Sequence, residues 1–102
     1  MNQSGKSYFV TGIGTDVGKT IVSAILSQAL QSHYWKPIQS GDLDNSDTIK
    51  VKRMTEGVVF LEENFRLNQP LSPHTSARLD GIEISSQFSL PDIQNSLIIE
   101  GA

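Results

Sequence analysis

Tyr8, Phe9 and Val10 form a short aromatic and β-branched run closed by Gly12, which predicts a buried strand from about Tyr8 to Thr11. From Lys19 to about Ser32 the chain has neither Gly nor Pro. Over that stretch Ile21, Ala24, Ile25 and Ala29, with Val22 and Leu26 beside them, recur at the spacing that lines one side of a helix. The stretch "HYWKPIQ" reads as a second strand, with Pro37 near its end because proline has no N–H to give a ladder. The polar segment "SGDLDNS" reads as a loop, after which Asn45 or Ser46 caps a helix running to about Met54, with Gly57 as its stop. "VVFLEENFRL" holds one or two short extended segments, "SPHTSARLDG" opens a short helix with Pro73 in its first turn, and "SLIIEGA" is an apolar strand ending in Glu100 and Gly101.

Strands alternating with helices predict an α/β fold with a parallel sheet, in which ligands sit beyond the carboxyl ends of the strands. Three groups fall at such ends: the loop after Thr11, Lys36 to Gly41, and Glu100.

Composition narrows the partner. A net charge of −3 without a Lys/Arg cluster leaves no electrostatic footprint for nucleic acid, so a small molecule is the expected ligand. No apolar run approaches the roughly 18 residues that cross a bilayer, and the start "MNQSGKSYFV" lacks the apolar core of a secretory signal. The expected compartment is the cytoplasm, with no membrane partner. The absence of cysteine excludes a disulfide framework and a thiolate metal site. At 102 residues, without repeats or a linker, the chain is one small domain at most.

The chemistry begins in "TGIGTDVGKT", residues 11 to 20. The strict phosphate-loop pattern wants glycine five positions before Gly18, where this chain has Ile13; Gly12 lies one position earlier, so the loop carries one extra residue. The dinucleotide pattern G-x-G-x-x-G fails as well, because Val17 stands where its third glycine belongs. Lys19 and Thr20 decide between the two. Backbone N–H groups opening a helix bind anions, Lys19 can reach the outer phosphates, and the Thr20 hydroxyl can ligate Mg²⁺, none of which a dinucleotide loop needs.

The other candidates each have a plain reading and a chemical one. Lys36 is a solvated strand end, or a second ammonium that holds a reacting anion beside the phosphate site. Ser40-Gly41 is a turn, or part of a substrate site. Asp47 favours a helix N-terminus through the dipole. Glu100 is an exposed strand-end charge, or a carboxylate for Mg²⁺. His33 is read as the start of a strand and His74 as a helix-start residue, since neither has partners at metal-ligand spacing.

Taken in order, "YFVTGIGTDVGKT", "WKPIQSG", "NSD", "LSPHTSA" and "IIEGA" resemble the dethiobiotin synthetase family over the whole chain. The six-spaced loop and the Lys-Pro-x-x-Ser-Gly segment are the most specific parts of the likeness. The resemblance implies a P-loop NTPase-like parallel sheet with flanking helices. It also implies that Asp16, Val17, Gly18, Lys19, Thr20 and Ile21 wrap the phosphates of ATP, with Thr20, Asp47 and Glu100 around Mg²⁺ and Asp47 also near the nucleotide. Lys36 matches the family's catalytic lysine, Ser40 its contact to the diamine, and Thr15 a loop position facing the reacting groups. The implied reaction is ATP-dependent carboxylation of 7,8-diaminopelargonic acid by CO₂ with closure of a ureido ring, giving ADP and phosphate. The implied full-length assembly is a homodimer.

Departures from the family pattern are Gly14 where an acidic residue is common and the shorter Asp16 at the next acidic position. "SQFSLPDIQN" leaves little room for a crossover helix, so a short or irregular connection is predicted. The family continues past "EGA" with further glycines and about as much chain again, while doubly wound domains run to roughly 150 residues or more. Residues 1–102 are therefore expected to be the N-terminal part of a single, apparently truncated P-loop nucleotide-binding domain. Two other functions compete: a partner-regulated ATPase switch, whose class carries an extra lysine early in the loop where this chain has Gly12, Ile13 and Gly14, and a non-catalytic nucleotide-binding fragment.

Overall fold

A computed structural model describes residues 5–11, 17–70, 72–81 and 95–101, with Val17 described in its backbone alone. Strand β1 (Ser7–Val10) precedes helix α1 (Val17–Leu30), strands β2 (His33–Trp35) and β3 (Ile38–Ser40), and helix α2 (Asp47–Met54). Strands β4 (Val59–Phe60) and β5 (Phe65–Leu67), helix α3 (Pro73–Asp80) and strand β6 (Leu97–Glu100) follow. Strands β1, β6, β2 and β4 form one sheet in that order, and every pairing in it is parallel. The late strand β6 thus lies between β1 and β2, which brings the carboxyl ends of all three to one edge. This α/β architecture, a parallel sheet flanked by helices, is the fold class expected from the alternation of elements.

Side-chain alternation along parallel strands divides the interior in two. Tyr34 and Ile98, paired across β2 and β6, face α1 and α2 and pack with Ala24 and Val51, bordered by Val10, Leu26, Val58 and Phe60. Trp35, Leu97 and Ile99 pack on the opposite face with Leu61. Burying side chains of this size contributes about 1.5–3 kcal/mol each, so β6, buried at all four positions, is the centre of the fold.

The short helices carry the end signals expected of them. Ser46 caps α2 by accepting the Ile49 N–H at 3.3 Å, Asp47 stands in its first turn, and Lys52 and Arg53 stand in its last, matching the helix dipole. Helix α2 ends at Met54, ahead of Gly57. Pro73 opens α3, and Gly81 closes it in the left-handed region at φ 72°.

Three expectations need correction. "HYWKPIQ" is not one strand: β2 and β3 belong to different sheets, β3 pairing in parallel with β5. The break falls at Pro37, which has no N–H and whose carbonyl accepts from Asn64 and Phe65 at 2.8 and 2.9 Å, steering the chain from one ladder to the other. Among the described residues strand β1 is not buried; it lies at the edge of the sheet they form, and Phe9 is 65% exposed. The inward face of α1 is also rotated from the expected one. Thr20, Ser23, Ala24 and Ser27 are buried at i, i+3, i+4 and i+7, whereas Ile21, Val22, Ile25 and Ala29 are exposed and Leu26 is half-buried. Small side chains let the helix lie close on β6, and the Thr20 hydroxyl bound to Glu100 sets its rotation. The "SQFSLPDIQN" connection lies outside the described residues, except Asn95 at its end.

Gly41, after β3, has φ 74°, and an added Cβ would stand 2.6–2.7 Å from Pro70 atoms. Both the backbone conformation and the space exclude a side chain. Gly41→Ala is expected to cost at least about 1–2 kcal/mol and to lower the thermal midpoint; an unchanged midpoint in a thermal melt would contradict this account of the turn.

Candidate active site

Alternation also builds the site. Tyr34 and Lys36 are two apart at the end of β2, and Ile98 and Glu100 are two apart on the adjacent β6, so both pairs project toward α1. Helix α1 brings Thr20 to the same place from its first turn. Thr20 Oγ1 donates to Glu100 Oε2 at 3.0 Å, Tyr34 Oη donates to Glu100 Oε1 at 2.7 Å, and Lys36 Nζ lies 3.6 Å from Oε2. From the far side, Asp47 at the start of α2 takes a 2.6 Å ion pair with Lys36 Nζ. The Gly101 carbonyl collects both lysines, accepting from Lys36 Nζ at 3.0 Å and Lys19 Nζ at 3.4 Å.

Burial distinguishes this group from a set of surface charges. Lys36 is 3% exposed and Glu100 is fully buried, so neither is the solvated strand end that its plain reading describes. Burial pushes the Glu100 carboxyl above its usual range, against the Tyr34 hydrogen bond and the Lys36 charge. Burial also acts to raise Asp47, but its hydrogen bond to Lys36 and that ammonium's charge outweigh it and hold the carboxyl below the usual range. Tyr34 is pushed far above an ordinary phenol, first by burial and then by the Glu100 charge, and so remains a neutral donor.

Of the other sequence candidates, Gly18 and Ile21 lie in the first turns of α1 beside Lys19 and Thr20, with Ile21 42% exposed. Val17 is the first residue of that helix. Thr15 and Asp16 lie outside the described residues, as do Gly12, Ile13 and Gly14. Ser40, at the end of β3, has a buried hydroxyl with no hydrogen-bond partner among the described residues. His33 opens β2 and His74 lies in the first turn of α3, away from the cluster.

Sequence reasoning missed two residues. Tyr34 has no role assigned to it from sequence beyond its place in the strand "HYWKPIQ", although it is two positions before Lys36 and so shares its face. Gln39 carried no motif, yet it is buried and ties the turn to α2: its Nε2 donates to Gly41 O at 2.9 Å and its Oε1 accepts the Asp47 N–H at 3.2 Å.

The donor set fits a hard cation. Thr20, Asp47 and Glu100 offer oxygen alone, and a bound cation would offset the burial that raises the Glu100 carboxyl even beside Lys36. No group of three or more His, Cys, Asp or Glu suited to a metal occurs among the described residues. Mg²⁺ takes one or two carboxylates together with substrate phosphates, and Asp47 and Glu100 are two carboxylates at one place. No helix among the described residues is long and apolar enough to cross a membrane.

A family model described as an AAA domain matches residues 6–102. The ATP-dependent dethiobiotin synthetase BioD of Christiangramia forsetii is 52% identical over 100 residues, covering 95% of this chain and 48% of that protein. That of Chlamydia felis is 51% identical over 92 residues, covering 89% and 44%. That of Cytophaga hutchinsonii is 48% identical over 100 residues, covering 95% and 48%. The likeness read from the quoted segments therefore extends over nearly the whole chain, and the chain spans about half the length of the curated relatives it matches.

Proposed function

This chain belongs to the AAA domain family, and from that premise we propose that it is the ATP- and substrate-anchoring part of an ATP-dependent dethiobiotin synthetase. The observation that carries this reading is the buried meeting of Thr20, Lys36, Asp47 and Glu100 beyond the carboxyl ends of β1, β6 and β2. A carbamate, ATP and a departing phosphate are all anions, and a site that crowds them together needs fixed positive charge at that place.

In the proposed reaction one amine of 7,8-diaminopelargonic acid adds to CO₂, losing a proton to give a carbamate. A carbamate oxygen then takes the γ-phosphoryl group of ATP, releasing ADP. The second amine attacks the activated carbon, closing the ureido ring and expelling phosphate. Asp16 to Ile21 hold the ATP phosphates, and Ser40 and Thr15 contact the diamine and reacting groups. Lys36 is the catalytic residue. Asp47 and Gly101 accept from its ammonium and Glu100 stands beside it, which fixes the charge where the reacting anion would lie. Thr20, Asp47 and Glu100 would hold Mg²⁺, which would supply charge neutralisation at the transferring phosphoryl group. Positioning and electrostatics do the catalysis, with no covalent enzyme intermediate. The full-length protein acts in the cytoplasm as a homodimer in this reading.

The test uses full-length protein with ATP, Mg²⁺, bicarbonate and the diamine, following ADP by coupled assay and product by mass. ADP release is expected to depend on the diamine and to match ring closure. ATP turnover indifferent to the diamine would overturn the proposal in favour of an ATPase switch.

A further inference from the structure

We propose that Tyr34 is a positioning residue that presents Glu100 to a divalent cation through one oxygen, and so favours Mg²⁺ over Ca²⁺; this rests on reading Glu100 as a metal carboxylate. The two carboxylate oxygens are used differently. Oε1 accepts from Tyr34 at 2.7 Å, whereas Oε2 accepts from Thr20 at 3.0 Å and is the oxygen nearer Lys36, at 3.6 Å. Oε2 is therefore the atom offered to the site, and Oε1 is tied back into the core.

The tie is rigid at its other end. Tyr34 has no exposed surface, sits beside Ile98 in the ladder, and packs its ring against Phe60 with centroids 5.5 Å apart at 60°. Rotating the carboxylate would break a hydrogen bond between two side chains that have no exposed surface. A hydroxyl in an apolar cluster is a cost unless it is paired, so if filling space were the whole role, phenylalanine would serve better. Mg²⁺ demands near-ideal octahedral geometry and suits a carboxylate held to one oxygen, while Ca²⁺ takes more ligands in flexible geometry and often binds both oxygens of a carboxylate.

The experiment compares full-length wild type and Tyr34→Phe, each saturated with the non-hydrolysable nucleotide AMP-PNP, by calorimetric titration with Mg²⁺ and separately with Ca²⁺. Tyr34→Phe is expected to lose about tenfold or more in Mg²⁺ affinity, the range for groups that orient metal ligands, with Ca²⁺ affinity retained. Metal-free nucleotide binding should not change. Equal Mg²⁺ affinity and an unchanged Mg²⁺ to Ca²⁺ ratio in the two proteins would overturn this inference while leaving the proposed function standing. A wild type that shows no Mg²⁺-dependent binding would overturn the metal role of Glu100, and this inference with it. Should Tyr34→Phe fail to fold, 3-fluorotyrosine at position 34 keeps the hydroxyl and decides the matter: its ¹⁹F resonance is expected to move when Mg²⁺ binds, and an unmoved resonance overturns the inference.

Discussion

Lys36→Gln is expected to lower kcat for ring closure by about 10²- to 10³-fold while largely sparing ATP binding, the range for removing one positioned donor from a developing anion. Lys36 stands at the end of β2 between Asp47 and Glu100, whereas Lys19 reaches the same Gly101 carbonyl from the first turn of α1. Lys19→Gln, by contrast, is expected to damage nucleotide binding and turnover together, because Lys19 opens the phosphate-binding helix. The split between KM for ATP and kcat separates the two roles. Equal, small effects from both substitutions would show that the roles are misassigned. Lys36→Gln also leaves Asp47 beside Glu100 without the intervening ammonium. Breaking a buried pair typically costs about 3–5 kcal/mol, and the partial exposure of Asp47 moves this case toward the lower end. Kinetics are therefore compared per mole of folded protein, with folding followed by thermal melt.

Glu100→Gln is expected to act oppositely on activity and on stability. If Glu100 is the Mg²⁺ carboxylate of the proposed function, its loss removes several kcal/mol of charge stabilisation in the transition state, so Mg²⁺-dependent turnover should fall by at least about 10²-fold. The metal-free protein, however, should become more stable. Burial raises the Glu100 pKa above its unfolded value, so the folded state binds the proton more tightly than the unfolded state does. Stability is then fully present below the unfolded value and is lost as pH rises through the folded one. Glutamine removes that loss. The thermal midpoint of the variant should match wild type at acid pH and exceed it increasingly toward neutral pH in EDTA, and saturating Mg²⁺ with nucleotide should narrow or reverse the gap. A variant less stable than wild type at neutral pH in EDTA would contradict the view that Glu100 is held at a cost.

Much of this site could be anticipated because strand periodicity is local. "LIIE" placed Glu100 at a strand end, and "WKP" placed Lys36 at another. Lys19 and Thr20 were legible from loop chemistry alone, one residue out of the strict spacing. Tyr34 was not, because an aromatic residue in a strand is ordinary until its hydroxyl is seen to meet a carboxylate 66 residues away. Gln39 was invisible for the same reason, since its partners are backbone groups of a turn and of a helix start.

The order of elements, the parallel α/β class, a cap for α2 at Asn45 or Ser46, Pro73 in the first turn of α3, and the identity of the charged residues followed from sequence by itself, because capping, turn chemistry and side-chain period depend on neighbours in the chain. Tertiary structure alone decided which faces were covered. It placed β6 between β1 and β2, left β1 at the edge, divided "HYWKPIQ" between two sheets, and turned α1 so that Thr20, Ser23 and Ser27 faced inward in place of Ile21 and Ile25. A periodic pattern states which residues share a face, whereas burial depends on what packs against that face from elsewhere in the chain. The same distinction holds for the charges: Lys36 and Glu100 were visible as ions, and only the packing of α1 and α2 over the sheet made them a buried ion pair.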